Sequence, residues 1–312
     1  MEPFFNTCAP LPGARWEGRP YSLDVAVSRR EQAGGTMKLH SMHILLLAGA
    51  VALQAQTVKI REAGGWLESA YASWEPVSGA ERYNVYVTGG GLADRKVDDP
   101  LIRQYGGHFR ADVPGLKAGS YTLKVAAVVS GKEGPATTTT TLAVSAHDRA
   151  GFAFSGKRIA GAYNMDGTPM ADAVIVYITE KTKDAVSLDV TGATTNPCVG
   201  FQNILYGIKK GKDARPFIFR LVGNVTDPAV TDGGDIVLET GNLATGHVTI
   251  EGVGEDAVAN GWGIRLKNAS NVEIRNLAVM NVNSSEGDNI GLQQENDHVW
   301  VHNVDFFYGL AG

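Results

Sequence analysis

The sequence predicts an all-β chain in two parts: an N-terminal β-sandwich, then the first turns of a right-handed parallel β-helix with a capping helix at its N-terminal end. Three observations point there. Short runs alternate apolar and polar residues at 263–267, 272–275, 290–293 and 299–302, the period-2 pattern of strands with one buried face. The runs recur in phase. Val248-Thr249-Ile250 leads to Val272-Glu273-Ile274 and Val299-Trp300-Val301 at steps of 24 and 27 residues, and Ile236-Val237-Leu238 leads to Ile264-Arg265-Leu266 and Ile290-Gly291-Leu292 at steps of 28 and 26. Two in-phase series separated by Asn- and Gly-rich corners describe a coil whose turns pair with one another. Finally, 38 glycines and only 8% aromatic residues favour a turn-rich chain over a helical one.

The 312 residues allow two domains. A hydrophobic content of 44% and a charged content of 20% are ordinary for a globular protein. The net charge of −5 argues against nucleic acid, which asks for a basic footprint. It also gives no general attraction to an acidic polymer, so any polyanion site must be local.

Residues 1–36 show no periodicity and read as a mis-called leader. From Met37 the pattern changes: Lys38, an apolar run from Met42 to Leu53, then Gln54-Ala55-Gln56. A basic start, an apolar core and small residues at the end describe a secretory signal over 37–55, too short for a membrane span, which needs about 20 apolar residues. The expected location is secreted, periplasmic or at the cell surface. Cys8 falls in the leader, which leaves Cys198 without an internal disulfide partner.

Residues 57–146 read as the sandwich. Trp74 lies in one strand and Tyr83-Asn84-Val85-Tyr86-Val87 forms another. The run 121–128 forms a third, and Thr137 to Thr141 forms the last before a linker near 145–149. These strands, with Leu116-Lys117-Ala118-Gly119-Ser120-Tyr121, resemble a fibronectin type III domain, which implies a tyrosine corner at Tyr121. Trp74 is expected in the core and not on a sugar-stacking surface, and the domain is read as a spacer. Residues 151–312 then form the β-helix domain. Ala173-Val174-Ile175-Val176-Tyr177-Ile178 suits a strand covered on both faces. Phe201, Ile204, Leu205 and Ile208 mark one face of a helix that Gly211 stops. Lys209, Lys210 and Lys212 read as a solvated face.

The stretch Gly263 to Leu277, the Glu286-Gly287-Asp288-Asn289-Ile290 start of the next strand and Val299-Trp300-Val301-His302-Asn303 resemble the pectate lyases of polysaccharide lyase family 1. Gly161-Ala162-Tyr163-Asn164 and the 217–226 strand are in keeping, so the resemblance covers roughly half the chain. It implies a helix that plugs the N-terminal end of the coil. It implies cleavage of polygalacturonate (pectate, the pectin backbone) by β-elimination, in which a base removes the C5 proton beside the uronate carboxylate. Ca²⁺ would stabilise the charge that builds there. The first two metal carboxylates would be Glu286 and Asp288, Glu standing where Asp is usual. As i and i+2 of a strand they would share a face, and a cation would relieve their repulsion.

No residue here matches the family's catalytic arginine or its remaining calcium ligands, so the chain is expected to be an inactive fragment of a longer, monomeric enzyme. His302 stands where many members carry Asp. Arg265 and Arg275 are read as surface ladders, and Asn268, Asn271, Asn276 and Asn303 as corner residues. Glu295, Asp297, Asp305 and His298 have no matching role. Two alternatives stay open: a polygalacturonase-type hydrolase, for which no aspartate cluster is present, and a non-catalytic secreted polysaccharide-binding or adhesion protein.

Overall fold

A computed structural model describes residues 57–240 and 246–309. The leader at 1–36 and the signal at 37–55 lie outside the described residues. Among the described residues nineteen strands and one α-helix follow one another, and the strands sort into a sandwich and a coil.

The sandwich comprises β1 (Ile60–Trp66), β2 (Ser69–Trp74), β3 (Arg82–Gly89), β4 (Leu92–Lys96), β5 (Ile102–Tyr105), β6 (His108–Pro114), β7 (Gly119–Val129), β8 (Lys132–Thr138) and β9 (Leu142–Val144). One sheet runs β1-β2-β6-β5 and the other β4-β3-β7-β8, with β9 also on β7; the pairings are antiparallel. Trp74 is fully buried, with Tyr83 edge-on at 5.2 Å and Phe109 stacked at 6.3 Å. The Tyr121 hydroxyl donates to Lys117 O at 2.9 Å, closing the corner that leads into β7. The expected last strand at 137–141 does not form as such: it falls on the end of β8 and on the break before β9. At Thr139 the side chain turns in to accept from Leu123 N at 3.0 Å, so β8 stops and β9 begins afresh.

The coil is built from β10 (Val174–Thr179), β11 (Ser187–Leu188), β12 (Cys198–Val199), β13 (Phe217–Val225), β14 (Asp235–Leu238), β15 (Val248–Asn260), β16 (Gly263–Lys267), β17 (Ser270–Met280), β18 (Ile290–Gln293) and β19 (Asp297–Phe306). Strands β10-β13-β15-β17-β19 form one parallel sheet and β14-β16-β18 a second. Both series read from the sequence keep their register: Val248 pairs with Val272 and then Val299, and Ile236 with Ile264 and then Ile290. The result is a parallel β-helix of about three turns. Its inward residues, among them Ile250, Ile264, Leu266, Val272 and Ile274, form one continuous apolar core. Asn268, Asn271, Asn276 and Asn303 all take left-handed backbone (φ 47° to 57°), which Asn tolerates better than other non-glycine residues.

Helix α1 (Phe201–Ile208) buries its expected face. Phe201 meets Phe219 at 5.1 Å and Trp262 at 6.2 Å. Gln202 does something the apolar pattern does not reveal. Its amide donates to Val237 O at 3.0 Å and accepts from Val237 N at 2.7 Å, pairing with the free edge of β14 as a neighbouring strand would.

The sandwich is docked on the coil, which corrects the reading of a spacer. Residues 252–257 of β15 lose their pairing with β17 while Gly252 and Val253 still pair with β13, and Val253, 2% exposed, reaches the core of the sandwich. Arg103 and Tyr105 bind Asp256, Arg110 binds Glu255, and the Tyr177 hydroxyl donates to Asp98 at 2.5 Å. Arg149, placed by sequence in a linker, is buried.

Candidate functional site

The corner between β17 and β18 holds the two carboxylates singled out by the sequence. No strand covers 281–289, and β18 begins only at Ile290. Glu286 and Asp288 therefore stand on a bend, and Gly287 between them has φ 77°. Strand alternation requires extended backbone, so the expected shared face as i and i+2 of a strand does not arise. Both residues are exposed.

Arg265, expected on a surface ladder, is the group that organises this corner. Its side chain is only 12% exposed. It donates from Nη1 to Glu286 Oε1 at 3.1 Å and from Nη2 to Asp232 O at 2.8 Å, with Asp232 Oδ1 at 3.2 Å. Asp235, which opens β14 and is 2% exposed, places Oδ2 3.8 Å from Arg265 Nε, beyond hydrogen-bonding reach. Asp235 Oδ1 and Arg265 Nε are both buried without a hydrogen-bond partner. Burial pushes the Asp235 carboxyl above the ordinary aspartate value, helped by the charge of Glu286 and opposed by Ser284 and Arg265. Sequence reading missed Asp235 because it lies one residue before the apolar Ile236 run. Its signal was the register position, opposite Gly263.

A hard dication asks for oxygen donors, and this corner offers them. Glu286 and Asp288 supply carboxylates, and Asp235 Oδ1 is an orphaned buried oxygen. A Cβ at Gly263 would run into Asp288 O and Asp235 Oδ1, with Asn289 O at 3.2 Å, so these oxygens converge where glycine leaves room. The donor chemistry fits. Among the described residues no three Asp, Glu, His or Cys side chains form a ready metal-binding group, and the guanidinium of Arg265 holds Glu286 instead.

A second polar assembly lies under the sandwich. Arg220, Glu251, Arg275 and His302 stand in register across β13, β15, β17 and β19. Glu251 accepts from Arg220 at 2.8 Å, from Tyr163 at 2.7 Å and from Arg275 at 2.9 and 3.0 Å. Arg275 also donates to Glu273 at 3.3 Å and to Glu68 at 3.1 Å, and Arg149 donates to Glu68 at 2.8 Å. Three arginines thus meet three glutamates, all buried. Arg275 does form a ladder, as the sequence suggests, but an interior one. Burial alone would raise the carboxyls of Glu68 and Glu251; Arg149 holds the first below the usual range, and Arg275 with Arg220 the second. Burial pushes His147, beside His302, down to about 4. His302 stacks on Trp300 at 3.5 Å and contacts Glu273 at 3.2 Å.

Every arginine among the coil's described residues is committed. Arg158 pairs with Asp297, Arg215 with Asp213, Arg220 and Arg275 with Glu251, and Arg265 with Glu286. Carboxylate partners raise the pKa of Arg215 and Arg275, and Tyr163 with Glu251 raises that of Arg220, opposite to what a base requires. His298 lies against Ser155, with its Nε2 3.0 Å from Ser155 O. At the far end of the coil Phe306, Phe307, Tyr308 and Leu292 are exposed.

No family model matches the chain. Pectate lyase A of Emericella nidulans is 41% identical to it over 59 residues, 19% of this chain and 18% of the relative. Probable pectate lyases A of Neosartorya fischeri and Aspergillus fumigatus are 46% identical over 59 residues, with the same coverage. The match thus spans less than a fifth of the length of these relatives. The crystal structure of pectate lyase Pel3 from Pectobacterium carotovorum aligns over 72% of this chain and 68% of its own, at 13% identity and a TM-score of 0.17, too loose a likeness to carry an argument. No helix among the described residues is long and apolar enough to cross a membrane.

Proposed function

We propose that the coil is part of a secreted pectate lyase-type protein that binds polygalacturonate, with Glu286 and Asp288 as the carboxylates that face Ca²⁺. The observation that carries the reading is the 41–46% identity to pectate lyases over 59 residues, in a chain whose coil is a parallel β-helix. When bound, a hard dication would stabilise negative charge on a uronate carboxylate, making the neighbouring C–H more acidic. Glu286 and Asp288 would hold it, and Arg265 would keep Glu286 oriented in its absence. The sandwich, whose strand order and Tyr121 corner are in keeping with a fibronectin type III-like module, would brace the coil.

Among the described residues of the coil each arginine is ion-paired, so none of them stands free to serve as base. This favours a second reading alongside the first, a non-catalytic polysaccharide-binding β-helix. Two measurements test them together. Native electrophoresis through gels containing polygalacturonate should slow the protein when Ca²⁺ is present and release it with chelator; unretarded migration in both would remove the substrate class. Ultraviolet absorbance of the unsaturated product separates the rest: steady turnover by this chain would overturn its reading as inactive.

A further inference from the structure

We infer that Arg265 is a resident counter-cation which a divalent cation displaces, and that Asp235 is a third carboxylate of the same site. The inference rests on the reading of Glu286 and Asp288 as cation-facing groups.

The charge inventory comes first. Asp232, Asp235 and Glu286 surround a single guanidinium. Arg265 binds two of the three well and misses the third: its Nε is 3.8 Å from Asp235 Oδ2, and both Nε and Asp235 Oδ1 are left without partners in a buried setting. Two orphaned polar atoms of opposite character, on two side chains of one buried corner, are costly. The native sequence keeps them, so the arrangement is that of a site holding a substitute for its proper ion.

The space also suits a smaller, denser charge than guanidinium. Asp288 O, Asn289 O and Asp235 Oδ1 converge over Gly263, where any other residue would place a Cβ among them. Carbonyl and carboxylate oxygens together are the donors Ca²⁺ takes in sets of about six to eight, and no planar five-donor fork can fill that role. Arg265 has a way out, because its outer partners Asp232 and Glu286 are 54% and 40% exposed. Its guanidinium can swing toward solvent while its stem stays packed.

Calorimetric titration of Ca²⁺ into the full chain tests this, comparing the native protein with Arg265→Met, Asp235→Asn and Glu286→Gln. Removing the competing charge in Arg265→Met should tighten Ca²⁺ by about tenfold, and Asp235→Asn should weaken it by a similar factor, since one buried charge is lost in each case. Thermal unfolding gives a second readout. Arg265→Met should melt early in chelator, from unrelieved carboxylate repulsion, and Ca²⁺ should restore it by more than it stabilises the native protein. A purely structural Arg265 would give a loss that Ca²⁺ leaves uncorrected, which would overturn the inference. Binding that is lost in Glu286→Gln yet unchanged in Arg265→Met and Asp235→Asn would overturn it too, while leaving the Glu286–Asp288 reading intact. Absence of Ca²⁺ binding in every variant would sink both.

Discussion

Glu68 of the sandwich accepts a hydrogen bond at 3.1 Å from Arg275 of the coil, across 207 positions of sequence. The same carboxylate binds Arg149, so one buried acid ties the sandwich, the following segment and β17 together. Its removal would leave two buried guanidinium groups short of a counter-charge. Breaking one partner of such a set costs about 3–5 kcal/mol. Glu68→Gln should therefore lose stability on that scale in denaturant unfolding; a loss under about 1 kcal/mol would mean the contact is dispensable.

The same junction should respond to mild acid. The folded pKa of His147 is depressed to about 4 from an ordinary 6.5, so between those values the unfolded chain binds more protons than the folded one. Stability linked to His147 is then complete above pH 6.5 and is lost as pH falls toward 4. Melting temperature should decline through this window, and His147→Gln should flatten the decline. It should not abolish it, because burial shifts His247 in the same direction. An identical slope in the variant would show that His147 is not the group that titrates.

Gln202 offers a test of edge protection. Both of its hydrogen bonds go to the backbone of Val237, and Gln202→Leu keeps bulk while removing them. The carbonyl and amide of Val237 would then be buried without partners, at about 1–3 kcal/mol each. Hydrogen exchange at Val237 N–H should accelerate ahead of the rest of the coil. Unchanged protection there would show that the strand edge is covered by something other than Gln202.

How much of this could be read beforehand depends on which forces a residue obeys. The coil was legible because burial imposes a period: Val248, Val272 and Val299 face one core, and the repeat in sequence is the repeat in space. Helix α1 was legible for the same reason, through Phe201, Ile204, Leu205 and Ile208. The docking of the sandwich was not. It depends on Val253 giving up its pairing with β17 and on charges such as Glu68 and Arg275 meeting from distant positions, and no local pattern encodes either. At the candidate site, Glu286 and Asp288 could be named from their neighbours in sequence. Asp235 and Arg265 could not be linked to them until the coils were stacked, because each comes from a different turn.

The excursion of β15 gives the last prediction. Residues 252–257 interrupt pairing between β15 and β17, a disruption a regular β-helix would avoid, and in return Val253 enters the core of the sandwich at 2% exposure. Around it, Arg103 and Tyr105 hold Asp256 and Arg110 holds Glu255, so the segment acts as an apolar plug with a polar rim. Val253→Asp would place an unpaired carboxylate in that core, which costs several kcal/mol unless the plug withdraws. Withdrawal is the easier response, because the coil keeps its own core without it. The variant should therefore retain the coil while the sandwich loosens: protease should gain access near residues 145–150, and hydrogen exchange should rise at 252–257 before it rises in β17. Equal and simultaneous loss of protection in both halves would instead mean that sandwich and coil unfold as one cooperative unit.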